Sequence, residues 1–503
     1  VNYAKDKTNH SGTLWLAAAL GLYAVLAIGT LATLRPMCDE AWFSSPALNL
    51  ITKGNMGTSL LDPAGTWRSV QLPGIRRHTY WIMPLYVLAQ SVWYEVAGFG
   101  LFSMRALSML WGFVAILAWY RIVLALLRDR AAAILTAGLI GIDFNFLWSA
   151  GMGRMDMMAV AFASSGLAAY LRLRERNLTV AILVSHALVA FGVFTHPLMV
   201  MVFVGLIVLQ FYFDGRSIRW WHALVAAGPY LACLAGWGIY IAQSPSDFAG
   251  QFGSNASDRW EAFRAPFTAL RLEFTRRYME AYGFVSTSGI ASRIKGVALA
   301  CYFGGFLACL FTARIRRDRG FRAMLILTGI FFLMLPVLDG FKQLFYLLLM
   351  ISAFCALFSG WLVLNWRERT LPRPLLAAVV ACLAVVQVGV SASRVRQNVY
   401  AKSYLPAVSF IKSSAGSNAV VMGSAELAFG LGFDSNLVDD FRLGYRSGNK
   451  ADYIVMDRQR YQEWISHLEQ QDPANYRYIQ SMLASDYRVV FDEPLYTIYA
   501  RKL

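Results

Sequence analysis

Residues 80–97 read YWIMPLYVLAQSVWYEVA, and whether this stretch crosses a bilayer decides the fold. It is one of twelve apolar segments, the others lying at 13–34, 105–127, 131–149, 156–171, 178–195, 197–213, 220–242, 290–312, 322–338, 341–365 and 374–392. About 20 apolar residues suffice to span a membrane as a helix. Five short loops carry basic clusters: Arg128/Arg130, Arg172/Arg174/Arg176, Arg216/Arg219, Arg314/Arg316/Arg317/Arg319/Arg322 and Arg367/Arg369/Arg373. Short basic loops stay in the cytoplasm. If the N-terminus is inside and all twelve segments cross, every cluster lands outside; if 80–97 does not cross, all five land inside. Its Pro84, Gln90, Glu95 and many Trp and Tyr residues suit a helix at the headgroup level. The reading is therefore a polytopic α-helical membrane protein with about eleven spans plus juxtamembrane helices, N-terminus inside and C-terminus outside.

Composition agrees with this. The 503 residues are 57% hydrophobic and only 15% charged, against roughly 25% charged in soluble domains, which excludes a soluble enzyme. Lys5 and Lys7 precede a first apolar run too long for a removed signal peptide, so a retained signal anchor is expected. Five of the six cysteines lie in apolar segments and Cys38 is alone in a loop, so neither a disulfide framework nor a metal-ligand spacing is present. The net charge of +16 could signal a polyanionic partner, but +12 of it falls on the cytoplasmic side. The tail from 393 holds thirteen basic and twelve acidic residues. The excess is a topology signal, and no nucleic-acid partner is expected.

The non-cytoplasmic side then holds a first loop (35–104), a turn at 150–155, the junction Thr195-His196-Pro197, a loop at 243–289, the Asp339-Gly340 turn and the tail. Residues 1–392 form the membrane domain. The tail 393–503 reads as a small soluble α/β domain, since the runs NAVVMG, DYIVMD, YRVVFDE and LYTIYAR alternate with helical patterns at 403–413, 458–468 and 474–484. No phosphate-binding glycine fingerprint opens a helix there. Internal repeats and the paired Gly/Pro-broken spans of secondary transporters are absent from the sequence.

The chemistry-bearing residues cluster on that outer side. After the first span comes RPMCDEAWFSSPALNLITKG (35–54), where Asp39 and Glu40 open an amphipathic helix with apolar Phe43, Ala47, Leu50 and Ile51, expected to lie on the membrane. Adjacent helical residues diverge by about 100°, so the two acids cannot both face one pocket. One is a catalytic candidate; helix capping is the alternative for either. In SAGMGRMDMMAVAF (149–162), Arg154 and Asp156 stand at an outer turn as a second site or a simple helix-start pair. Arg105, Lys342 and His78 are further outward candidates, because a phosphate near lipid needs cationic donors; snorkelling to the headgroups is the alternative for Lys342. His196 reads as a satisfied core residue before a Pro-opened helix. Asp143 lies within a span and needs a partner the sequence does not name.

In their order and sidedness these motifs resemble the GT-C membrane glycosyltransferases, in particular the group holding the protein O-mannosyltransferases and the lipid A aminoarabinose transferase. The motif-bearing part covers about residues 10–210. The resemblance implies a sugar transferred with inversion from a polyprenyl-phosphate donor to a glycan, lipid or protein acceptor on the non-cytoplasmic face. It implies Asp39 as general base, Glu40 as its companion, Asp156 as a second acid of the same cavity, and Arg105, Arg154 and Lys342 as cations for the lipid phosphate. One departure stands out: many relatives carry Lys or His directly before Pro-Pro-Leu, whereas this chain reads Ile82-Met83-Pro84-Leu85-Tyr86. His78 is the substitute nearest in sequence, and phosphate or metal binding at that point is in doubt. The resemblance assigns no definite cofactor, and a divalent metal (Mg or Mn) is left open. The rival reading is a flippase for a lipid-linked sugar. The expected address is the bacterial inner membrane, with the C-terminal domain periplasmic.

Overall fold

The computed structural model describes residues 9–63, 71–284, 290–459 and 461–502. Lys5, Asp6 and Lys7, on which the signal-anchor expectation rests, lie outside them. In chain order the first helices are α1 (Asn9–Thr33), α2 (Cys38–Lys53), α3 (Pro84–Ala97), α4 (Leu101–Leu127), α5 (Arg130–Ile142), α6 (Phe144–Ala150), α7 (Met155–Leu173), α8 (Leu178–Thr195), α9 (Val200–Asp214), α10 (Trp220–Ile241) and α11 (Pro245–Arg264). The membrane bundle is completed by Gly296–Phe311, Arg319–Leu338, Leu348–Glu368 and Arg373–Gln397.

The segment that decides the fold becomes α3, which Pro84 opens at its first turn and Gly98, at φ +78°, closes. Fourteen residues reach only about 21 Å at 1.5 Å each, short of the roughly 30 Å hydrocarbon core. Among the described residues, nine helices are long and apolar enough to span, and the bent pair α5/α6 makes a tenth. The eleventh expected span is α7, 19 residues diluted by Asp156 and Arg172 and packed between α4 and α8. Gly166 lets α7 and α8 approach closely, since a Cβ there would stand 2.6 Å from Val189 Cγ2; small residues at crossings are how helices pack tightly in lipid. Outward-facing Val25, Ile239 and Val385 are about 70% exposed, as lipid-facing residues are.

The third expected span is not straight. It breaks by 64° at Asp143. The Asp143 carboxylate caps α6 by accepting the Asn145 and Phe146 N–H groups, each at 2.9 Å. Its other oxygen accepts from the Tyr302 hydroxyl (2.6 Å) and Gln387 Nε2 (2.9 Å). These two side chains, from Gly296–Phe311 and Arg373–Gln397, are the partners the sequence left unnamed.

After Gln397 the chain stays helical to Ser414. It then builds a five-stranded sheet from β1 (Val421–Gly423), β2 (Leu437–Val438), β3 (Tyr453–Asp457), β4 (Tyr487–Asp492) and β5 (Tyr496–Arg501), in the order β2-β1-β3-β5-β4. β1 runs parallel to β2 and β3, and β5 antiparallel to β3 and β4. Helices Tyr461–Gln471 and Pro473–Asp486 complete the small α/β unit.

This unit shares one hydrophobic core with the segment between α2 and α3: Leu60, Leu61, Leu72 and Ile75 join Leu437, Phe441 and Ile454. Ion pairs Arg35–Asp457 (2.6 Å) and Lys53–Asp434 (2.8 Å) bind the same surfaces. In consequence α2 does not lie on the membrane. Its residues from Glu40 to Ala47 are buried on every side, because the C-terminal unit covers the face that amphipathicity assigns to water.

Candidate functional site

The helix start at Cys38 sends its two acids in different directions, as the 100° step requires. Glu40 points inward and is fully buried. It accepts Arg105 Nε (2.7 Å) and Nη2 (2.9 Å), the Met37 N–H (2.8 Å) and the Gly153 N–H (2.9 Å). The remaining N–H groups of Arg105 go to the carbonyls of Leu31 (2.7 Å), Leu34 (2.8 Å) and Arg35 (3.1 Å). These are the acceptors a helix end leaves orphaned, and all five guanidinium donors are thereby spent. The Glu40–Arg105 pair welds the end of α1, the start of α2 and the 151–154 turn together.

Asp39 points the other way, its side chain 21% exposed. It forms an ion pair with Arg154 Nη1, and the Nε of the same guanidinium donates to Asp156 Oδ2 at 2.7 Å. Arg154 lies over the rings of Phe345 (4.0 Å to the centroid) and Phe43 (5.6 Å), which fixes its plane. Two carboxylates more than a hundred residues apart thus share one cation, with a net charge of −1 for the three.

Beside Asp156 lies a small cleft lined by Asp156, Val160, His196, Leu198, Met199, Phe345 and Tyr346, with a volume of about 10 Å³, room for about one water. Asp156 is 4% exposed, and its Oδ1 has no hydrogen-bond partner. His196 Nε2 stands 3.8 Å from that oxygen. The Leu198 N–H donates to His196 Nδ1 (3.2 Å), so in the neutral ring the proton sits on Nε2. The Tyr346 ring flanks the imidazole at 4.8 Å.

Lys342 belongs to a second charged cluster. It adopts φ +60° and donates to the Pro336 and Asp339 carbonyls, with Glu273 at 3.5 Å. Glu273 in turn pairs with Arg277 (3.0 Å), and Arg277 with Asp339. Burial lowers the Lys342 ammonium below its ordinary range, opposed by Glu273, and raises the Glu273 carboxyl, opposed by Arg277 and Lys342. The cluster ties the π-helical turn Glu273–Tyr278 to the segment that carries Phe345 and Tyr346 into the cleft. His78 lies apart, 3.5 Å from Asp247 and stacked on Tyr80.

The structure therefore brings Asp39, Arg154 and Asp156 together, sets Glu40 and Arg105 behind them, and keeps Lys342 and His78 in other networks. Sequence reading took His196 for a satisfied core residue and passed over Glu273, Arg277 and the aromatic pair Phe345-Tyr346. The one available signal for His196 was its place beside a helix-opening proline at an outer junction.

Among the described residues no group of three His, Cys, Asp or Glu side chains is set to hold a metal ion, and the space between Asp39 and Asp156 is filled by the Arg154 guanidinium.

No protein-family model matches the chain, and no curated protein matches it in sequence. Solved structures do match in fold. ArnT from Cupriavidus metallidurans, bound to undecaprenyl phosphate, aligns over 98% of both chains at 14% identity and a TM-score of 0.56. The Archaeoglobus fulgidus oligosaccharyltransferase aligns over 97% of this chain and 74% of its own, at 14% identity and 0.56; one of its structures, with a TM-score of 0.51, is a complex with zinc and sulfate. The chain shares the fold of these proteins, and the motifs had pointed to a fold of this kind.

Proposed function

We propose that the chain is an inverting glycosyltransferase that moves a sugar from a polyprenyl-phosphate carrier to an acceptor on the non-cytoplasmic face of a membrane. The observation that carries this reading is the half-open carboxylate of Asp39, held by Arg154 beside a cleft, in a fold shared with proteins solved with lipid phosphates. Asp39 takes the proton from the acceptor hydroxyl or amine as it attacks the anomeric carbon from the face opposite the phosphate. General-base help of this kind is worth about 10²- to 10⁴-fold.

Geometry favours a division of labour among the cations. Arg105 has no donor left and Lys342 is committed to two carbonyls and Glu273, so both serve as positioning residues. Arg154, paired with Asp39 and Asp156, is the cation placed to meet the departing phosphate oxygen, acting as any preorganised donor does on developing charge. The bilayer, the lipid-linked donor and a glycan, lipid or protein acceptor are the partners this reading requires. A bacterial inner membrane with the C-terminal unit in the periplasm suits the loop charges.

Purified protein in proteoliposomes, given an undecaprenyl-phosphate-linked radiolabelled sugar and candidate acceptors, tests the reading. Transfer that disappears in Asp39→Asn with an unchanged melting temperature supports it. Movement of the intact lipid-linked sugar between leaflets without cleavage would make the chain a flippase instead.

A further inference from the structure

Four cations lie at the end of the bundle that carries the Asp39 site, outside the networks described so far. Arg293 and Lys295 are on the turn Ile290–Lys295 that leads into Gly296–Phe311, and Arg394 and Arg396 are in the last turn of Arg373–Gln397; the two elements pack together. Membrane proteins gather Lys and Arg on the cytoplasmic side, so four at the far end from the Arg-rich loops call for a counter-charge. Among the described residues none of them is in an ion pair. Arg394 is nonetheless fixed in place. Its Nη1 donates to the Phe144 carbonyl at 2.9 Å, and the guanidinium lies over the rings of Phe144 (5.5 Å to the centroid) and Trp148 (5.8 Å). Lys295 is half-buried, makes no hydrogen bond among the described residues, and stands close enough to Arg394 to repel it. Asp143 attracts Arg394, but its oxygens are taken by two backbone N–H groups, Tyr302 and Gln387. Arg394, Lys295 and Asp143 together keep a net charge of +1.

We infer that Arg394 and Lys295 hold the headgroup phosphate of an anionic bilayer phospholipid, in the leaflet on the Asp39 side. A phosphodiester set between them turns a repulsion into two charge-assisted contacts. The guanidinium offers a planar fork with one N–H already spent on Phe144, and the ammonium a point charge on a flexible stem. Ordinary snorkelling leaves a long side chain free to follow the headgroups. Arg394 is pinned by a carbonyl and two rings instead, so little is lost in ordering it when a lipid binds. The acyl chains have a surface to lie on, since Ile294, Leu307 and Val385 on the same elements are exposed. Trp148 stacks on Phe345 at 4.9 Å, and Phe345 carries Arg154 on its ring, so two stacked rings stand between Arg394 and Arg154. That separation and the exposed helix flank favour a lipid drawn from the bilayer over the sugar carrier. A lipid held here braces α6 behind the Asp39 site without touching the reacting groups.

This inference stands without the transferase reading. The test is native mass spectrometry of the full chain, released from neutral-detergent micelles after titration with phosphatidylglycerol. Expected is a retained lipid whose affinity falls by about 5-fold or more in Lys295→Gln and in Arg394→Gln, and stays within about 2-fold of native in Lys295→Arg, which keeps the charge. Phosphatidylcholine with the same chains should bind about 5-fold or more weakly, because its own ammonium cancels the phosphate charge. Melting temperatures without added lipid separate lost binding from lost folding, and Lys295→Gln removes no hydrogen bond among the described residues. Added phosphatidylglycerol should raise the melting temperature of the native chain and not that of Lys295→Gln. No retained lipid, equal binding of the two phospholipids, or native affinity in both Gln variants overturns the site. Displacement of the bound phosphatidylglycerol by an equal amount of undecaprenyl phosphate overturns the phospholipid assignment and makes the pair a carrier subsite.

Discussion

Glu40 and Asp39 are neighbours in sequence, yet their substitutions should act on different observables. Glu40 and Arg105 are both fully buried, and Glu40 accepts four N–H groups from three parts of the chain. Glu40→Ala leaves the Arg105 cation in the interior, and breaking a buried pair from one side costs about 3–5 kcal/mol. Arg105→Ala costs a similar amount, because it strands the carboxylate and the three carbonyls at the end of α1. Replacing both by Ala removes the stranded charges but still leaves the Met37 and Gly153 N–H groups without acceptors. The double variant should therefore lose about as much as either single one, giving a coupling of about 3 kcal/mol in a double-mutant cycle. Asp39→Asn should cost about 1 kcal/mol or less, since Arg154 keeps Asp156 and the Asp39 side chain is partly open to water. Unfolding free energies from SDS titration in mixed micelles measure all four. Additive losses in the double variant, or a larger loss from Asp39→Asn than from Glu40→Ala, would refute the assignment of Glu40 to structure and Asp39 to chemistry.

Other expectations follow from separate parts of the molecule. Sugar transfer by Asp39→Asn should fall about 10²- to 10⁴-fold in single-turnover assays, and a loss below 5-fold would remove Asp39 as base. Asp143→Leu deletes a helix cap and strands Tyr302 and Gln387, so it should lower unfolding stability by about 2–4 kcal/mol, with Asp143→Asn losing less than half of that. Asp439 in the C-terminal unit accepts from Trp42 Nε1 (3.0 Å), the Ala425 N–H (3.0 Å) and the Tyr461 hydroxyl (2.8 Å), and burial pushes its carboxyl up to about 7. A carboxyl raised in the folded state lends stability below its unfolded value of 3.8 and loses it as pH rises through about 7. Protection factors across β1 and β2, which remove the base-catalysed rise of intrinsic exchange, should fall between about pH 4 and 7 in the native protein and level off above that, and Asp439→Asn should flatten the fall; parallel pH profiles in the two would contradict it.

Much of the membrane fold could be read from spacing and charge, because those are local signals. The Arg clusters and the proline, glutamine and aromatic content of 80–97 were enough to keep α3 out of the count of spans. Four of the five strands were also visible as alternating β-branched runs, while β2, two residues long, carried no pattern. What escaped was long-range. The amphipathic face of α2 says that something polar or interfacial covers it, but not that Trp42 meets Asp439. The Asp39–Arg154–Asp156 triad was legible as three outward residues, and its shared guanidinium was not. His196 was set aside because a histidine before a proline fits an ordinary core as well as a cleft, and only the unsatisfied Asp156 oxygen opposite it tells the two apart. Glu273 and Arg277 lay in a loop with no periodicity to point at them.

The burial of α2 also sets a problem of timing. Trp42 and its partner Asp439 are 397 residues apart, and ribosomes add roughly 5–20 residues per second. The face of α2 that carries Asp39 is therefore made about 20–80 s before the strands that roof it exist. For that interval Trp42, Phe43 and the buried Glu40 must be sheltered by the neighbouring spans or by a chaperone on the outer side. Nascent chains stalled before residue 437 should thus be the form of this protein most open to proteases, and truncating the tail would produce that form permanently.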